Sequence, residues 1–148
     1  MKKFYAVPAL LFIIMSFASC GKDAIAPTTP SSLSVTFNGK AITSANPAAE
    51  FSTAKDAMQI NGQTTGNVSV EVVIYKNMQV GSFDVAGGEA SIIYTNGTDV
   101  YTATSGTVTV SSFSIGRVTG AFQFAAMDTS AATVSGNTGS FNTAYSSP

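Results

Sequence analysis

The chain has no histidine, no tryptophan and a single cysteine, Cys20. Without histidine it lacks the commonest general base and the commonest metal ligand, so zinc chemistry and every histidine-dependent triad are excluded within this chain. One cysteine cannot form an intramolecular disulfide or a thiolate cluster. Charge is scarce as well. Asp, Glu, Lys and Arg make up 10% of the sequence, and Ser, Thr, Asn and Gly carry the polarity instead. Lys40, Lys55, Lys76 and Arg117 are scattered, whereas neutralising phosphates takes clustered cations, so no nucleic-acid partner is expected. The phosphate-cradling glycine motifs are missing, and Gly87-Gly88 reads as a turn between strands.

What is there begins with an export address. Lys2 and Lys3 precede an apolar run from Tyr5 to Met15, the length of a secretory signal and too short to span a bilayer comfortably. Ser16-Phe17-Ala18-Ser19-Cys20 closes that run and resembles the lipobox of bacterial lipoproteins. The resemblance implies that Cys20 is the lipidation site: diacylated, first residue after cleavage, and usually acylated again on its amine. Ordinary secretory cleavage near Ser19 is the other reading, but it leaves a thiol without a partner, whereas a lipid explains both the position and the solitude of Cys20. Each buried methylene contributes roughly 0.8 kcal/mol, so two or three acyl chains make attachment effectively permanent. The expected location is therefore the cell envelope, at the outer membrane. Lys22-Asp23 occupies the place of an acidic surface-export signal but carries one acid, which leaves the periplasmic and the surface-exposed face both open.

Residues 1–19 are thus read as a signal peptide, 20–32 as the lipidated cysteine and a flexible tether containing Pro27 and Pro30, and 33–148 as one domain. The mature chain keeps five basic residues against eight acidic ones and is mildly acidic. From Leu33 onward the hydrophobic period is two, with no amphipathic helix. Asn38-Gly39 predicts a two-residue hairpin turn that sets Val35 opposite Ile42. Short strands are expected over residues 49–53 and 57–61, with Asn61-Gly62 and Gly66-Asn67 marking the loop after them. In the next strand Val68, Val70, Val72 and Ile74 face one way and Ser69, Glu71, Val73 and Tyr75 the other, as in the middle of a sheet.

Asn96-Gly97 predicts a second hairpin pairing Ile93 with Val100 and Ile92 with Tyr101. Further strands follow over 107–110, with Val108 and Val110 inward and a turn or bulge at Ser111-Ser112, over 117–125, with Val118, Phe122 and Phe124 on one face, and up to Tyr145. A short echo runs through them: Gly120-Ala121-Phe122, Gly139-Ser140-Phe141 and Gly81-Ser82-Phe83. A glycine there lets a neighbouring backbone or ring approach, and the phenylalanine fills the same face. The expected fold is all-β: a single antiparallel β-sandwich or partly closed barrel of about eight to ten short strands. A membrane-spanning barrel is rejected, because spanning strands run about 9 to 11 residues with apolar side chains toward lipid.

The first Asn38-Gly39, Ile60-Asn61-Gly62, Gly106-Thr107-Val108, Gly120-Ala121-Phe122 and the closing Gly139-Ser140-Phe141 with Tyr145 resemble, over most of residues 33–145, a family of uncharacterised Bacteroidota lipoproteins, the domain of unknown function 6252. The resemblance brings no activity with it.

Candidate chemistry is thin. The acids available to an enzyme are Glu50, Asp56, Glu71, Asp84, Glu89, Asp99 and Asp128, and most sit beside turn signals. A carboxylate-dependent hydrolase would need two of them across a cleft. Asp128-Thr129-Ser130 and Asn96-Gly97-Thr98-Asp99 could give oxygens to calcium, but both lack the alternating ladder of a calcium loop and read as turns, so no metal and no cofactor is expected. Tyr75, Tyr94, Tyr101 and Tyr145 would make a binding platform only on one open face; tyrosines more often cap a core. Arg117, the sole arginine, is expected to pair with a carboxylate on the sheet surface. The leading reading is a non-catalytic lipoprotein that binds a protein, a glycan or a small apolar ligand, or serves as an envelope accessory. The alternatives are the hydrolase and an assembly subunit that pairs its sheet edge with another copy.

Overall fold

The computed structural model describes residues 29–64, 66–75 and 78–146. The export signal, lipidation at Cys20 and the first part of the tether lie outside the described residues. Ten strands follow one another: β1 (Ser32–Phe37), β2 (Lys40–Ser44), β3 (Ala48–Ser52), β4 (Ala57–Thr64), β5 (Val68–Ile74), β6 (Gly81–Asp84), β7 (Ala90–Asn96), β8 (Asp99–Ser114), β9 (Arg117–Asp128) and β10 (Thr133–Ser146). The fold is all-β, as the period of two implies.

Pairing closes on itself. β10, β3, β4, β5, β7, β8 and β9 form a hydrogen-bonded circuit, with the β1–β2 hairpin attached to β10 and β6 attached to β8. Every pairing is antiparallel except the seam between β10 and β3, which is parallel and holds through Tyr145↔Ala49 and Ser146↔Glu50. The result is a sandwich drawn into a partly closed barrel. β8 gives its first residues to β7 and Thr107 to Val110 to β6 along the same edge, and β10 is shared between β1 and β3 in the same way. Strands that change partners midway turn the corners of such a sheet, and bulges mark the places. Register shifts occur between Ala103 and Ser105 and between Val110 and Ser112 in β8, and between Val134 and Asn137 in β10.

The first hairpin turns at Asn38 and Gly39, both with positive φ, and pairs Val35 with Ile42 as expected. The second hairpin corrects the reading. Its central residues are Gly97 and Thr98, with positive φ at Gly97 alone, the pattern of a turn that needs glycine in first position. The register moves by two: Tyr94 opposes Tyr101, and Thr95 opposes Val100. Asn61-Gly62 is not a loop but lies inside β4, opposite Glu71 and Val70. Glycine is needed there because a side chain at 62 would press on Leu33 and Ser44 of the hairpin above. Residues 99–102, on the return side of the second hairpin, and 107–110 belong to one continuous strand, β8, which carries a bulge near Ala103. β8, β9 and β10 span 16, 12 and 14 residues, well beyond the short runs expected. Their apolar residues Val108, Val110, Phe122, Phe124 and Phe141 are nevertheless turned inward, the reverse of a lipid-facing strand.

The core also explains the echo. Gly120 lies opposite Phe141, and Gly139 lies opposite Phe122. Each glycine leaves the room that the other strand's ring fills, and the two rings stack with centroids 6.5 Å apart. Gly106 of β8 lies opposite Phe124 of β9, but there a side chain would meet the Gln123 carbonyl and the Phe124 Cα instead of the ring, and its φ is positive. Gly81 has open space around it, so the third occurrence of the motif places Phe83 in the core without the exchange of ring for glycine. At the other end of the core Phe37 stacks on Tyr94 at 3.9 Å and touches Tyr101 and Phe124. Asn137, fully buried in the β10 bulge, accepts a hydrogen bond from the Asn38 amide and donates one to the Val134 carbonyl. Both groups of its side chain are satisfied, so burying it costs little.

Candidate functional site

Among the described residues Arg117 has no carboxylate partner. Its Nε donates to Asn142 Oδ1 at 2.7 Å, and its Nη2 donates to the carbonyls of Thr29 and Pro30. Ser31 Oγ accepts from the Ala144 amide at 3.1 Å. The last residues of the expected tether are therefore fastened to β9 and β10.

Three of the acids are occupied by their own turns. Asp84 Oδ2 accepts from the Gly87 amide, and Glu89 Oε2 accepts from the Asp84 amide. Asp128 Oδ1 accepts from the Ser130 hydroxyl and from the Ser130 and Ala132 amides, at 2.8 to 2.9 Å. These bonds, the Ser130 hydroxyl foremost, hold its carboxyl below the usual carboxylate range. The turn reading thus accounts for Asp128 Oδ1, one of the oxygens weighed for calcium. Because the folded value is depressed, the support Asp128 gives this turn is complete above the unfolded value and is lost as pH falls through the folded one. Ser130 and Ala132 amide resonances should titrate together, with a midpoint below that of an ordinary aspartate, and Asp128→Ala should abolish the transition. A midpoint at the ordinary value would contradict the geometry.

The tyrosines do not share a face. Tyr94 is buried and Tyr101 half-buried against it at the Phe37 end of the core, and Tyr145 stacks on Phe113 at 5.2 Å. Burial, then the neighbouring Tyr101 phenol, pushes Tyr94 up. Tyr75 alone stands clear, with 49% of its surface exposed and its hydroxyl 3.2 Å from Ser91 Oγ.

Two outward surfaces remain. On β6, β8, β9, β10, β1 and β2 the side chains of Ser82, Thr109, Ala121, Ser140, Ser34 and Thr43 form one rank of directly paired positions. Ser34 and Ser140 hydrogen-bond each other at 2.9 Å, as do Ser82 and Thr109 at 3.3 Å. This face is uncharged along the rank and partly satisfies itself.

The other surface is a groove of about 410 Å³ on the outer face of β3, β4 and β5, lined by Glu50, Ser52, Lys55, Ala57, Gln59, Glu71, Val73 and Tyr75. Glu50 is the cross-strand partner of Gln59, which is the partner of Val73. Gln59 Nε2 donates to Glu71 Oε1 at 3.1 Å. The pairing brings Glu50 to the same concavity as Glu71 and Tyr75, which share one face of a strand further along the chain. Two strand spacings and one step of two residues set the Cα atoms of Glu50 and Glu71 roughly 12 Å apart. Gln59 escaped the sequence reading because an outward Gln in a short strand carries no local signal; only the β3–β4–β5 register reveals it. No protein-family model, curated protein or solved structure matches the chain.

Proposed function

We propose that the chain is a non-catalytic binding module of the cell envelope, held at the outer membrane by acyl chains on Cys20. The lipobox-like Ser16-Phe17-Ala18-Ser19-Cys20 and the resemblance to the lipoproteins of the domain of unknown function 6252 support the anchor. One observation carries binding over reaction. The groove offers hydrogen-bonding groups in mutual contact, Gln59 with Glu71, around an exposed ring, while Asp84, Glu89 and Asp128 are spent on turns. A site that recognises needs such fixed polar groups; a site that reacts needs a carboxyl withdrawn from water, whereas Glu50 is exposed and Glu71 half-exposed.

The anchor is tested by mass spectrometry of the mature terminus and by fractionation. The wild type should carry a diacylglyceryl adduct on Cys20 and stay with membranes, and Cys20→Ser should move to the soluble fraction. A bare terminus on a membrane-free wild type would overturn the reading.

Glu50 and Glu71 on one groove favour a second reading, a glycoside hydrolase, since side-chain reach could bring their carboxyls within the roughly 5 to 9.5 Å that such enzymes use. Binding without hydrolysis is the expected result. A hydrolytic rate lost in both Glu50→Gln and Glu71→Gln would put the enzyme in place of the binding module.

A further inference from the structure

We propose that the groove on β3, β4 and β5 binds a neutral oligosaccharide, with Tyr75 as the stacking surface and Gln59, Glu71 and Glu50 as partners of the sugar hydroxyls. The inference names the ligand class for the binding-module reading and rests on it. Four properties of the groove select this chemistry over others. First, Tyr75 lines the groove, is half exposed and is fixed by its hydroxyl to Ser91 Oγ at the β7 side; the apolar C–H face of a pyranose suits a tyrosine that is apolar in body and polar at its tip.

Second, the polar groups are planar and complementary. Carboxylates accept from hydroxyls, and the Gln59 amide both donates and accepts. Gln59 is already held by Glu71, so little side-chain freedom is lost when a sugar arrives. Third, the groove offers little to an extended peptide. β4 and β5 are paired on both edges, and β3 is paired to β4 along its length and to β10 at Ala49 and Glu50, so backbone pairing, the main source of affinity in that mode, has at most the short end of β3 to use. Fourth, Lys55 lines the same groove as the two glutamates. That leaves one net negative charge, which disfavours a phosphate or nucleic acid, and Lys55 among the acids keeps them from forming an all-oxygen cation site.

The test uses the full lipidated chain in micelles of a detergent without a sugar headgroup, titrated by calorimetry with soluble linear tetrasaccharides: β-1,4- and β-1,3-linked glucose, α-1,4-linked glucose, mannose and β-1,4-linked N-acetylglucosamine. At least one should bind. Tyr75→Ala should then weaken it about tenfold while Tyr75→Phe stays within about threefold, as expected when the ring supplies the stacking. Gln59→Ala should weaken it about fivefold or more, as for a removed hydrogen-bond partner. Gln123→Ala, on the opposite hydroxyl-lined face, should bind like the wild type. Since Tyr75 is half exposed, its alanine variant should fold; if it does not, Gln59→Ala and Tyr75→Phe decide.

No heat from any of the five sugars, affinity unmoved by Tyr75→Ala and Gln59→Ala, affinity lost in Gln123→Ala, or tetralysine binding where no sugar does would each overturn the proposal. The two readings fail separately. An acylated, membrane-held protein that binds no sugar ends this inference alone, and a sugar-binding protein with an unmodified Cys20 ends the anchor alone.

Discussion

Replacing Gly139 with alanine is expected to cost the fold about 3 kcal/mol, the upper end of what overpacking costs. The added methyl would meet the Phe122 ring on one side and the Ser34 carbonyl oxygen, at 2.6 Å, on the other. A ring can shift, but the carbonyl belongs to the β1–β10 pairing and cannot shift without loosening it. Gly120→Ala should do the same through Phe141 and the Thr109 carbonyl. Gly81→Ala is the internal control. Nothing lies within 4 Å of its added carbon, and its φ is not positive, so restricting the unfolded chain should leave stability unchanged or raised by up to about 1 kcal/mol. Urea unfolding with a constant m-value separates the cases. Combining Gly139→Ala with Phe122→Leu should recover part of the loss, because the smaller side chain yields while the carbonyl remains. Equal destabilisation by Gly81→Ala and Gly139→Ala would show that the echo reflects glycine composition and not the exchange of ring for glycine.

Phe37→Ala should cost about 3 to 5 kcal/mol, the range for emptying a buried aromatic site. Phe37 is 6% exposed and stacks on Tyr94 of β7, with Tyr101 of β8 and Phe124 of β9 around it. It thereby joins the hairpin arm to strands across the circuit. The loss has a spectroscopic signature that simple destabilisation lacks. Tyr94 is pushed up by burial first, and a cavity beside it that admits water should let its ultraviolet titration fall back toward the ordinary phenol range. In the wild type the sign runs the same way. Neutral Tyr94 contributes fully below the unfolded value, and that contribution is lost as pH rises through the raised folded one. A Phe37→Ala protein with wild-type urea midpoint and unchanged Tyr94 titration would remove this ring from the core.

The sequence made the strands legible because alternation is a local signal. Val35↔Ile42 could be read from Asn38-Gly39 alone, and Val108, Val110, Val118, Phe122 and Phe124 all point inward as their parity required. What could not be read depends on residues far away. Asn61-Gly62 looks like a turn until Leu33 and Ser44 are known to sit above it. Asn96-Gly97 looks like the centre of a hairpin, but the glycine takes the first turn position, and its amide donates to the Asn67 carbonyl of the neighbouring hairpin. Arg117 finds the carbonyls of residues 29 and 30 instead of a carboxylate. For the site, alternation already put Glu71 and Tyr75 on one face, but the register of three strands was needed to bring Glu50 and Gln59 beside them.

β10 carries a consequence for how the chain is made. It is the shared partner of β1, β3 and β9, and its bonds reach back across the whole domain, from Ser140 to Ser34 and from Ala144 to Ser31. A nascent chain that has passed Asp128 can pair β1 with β2, β3 with β4 and β8 with β9, but β1, β3 and β9 still lack β10 on one edge, and the circuit stays open until the residues of β10 emerge. Assembly dominated by such distant partners is slow. Until those residues emerge, the chain remains an open substrate for chaperones and proteases.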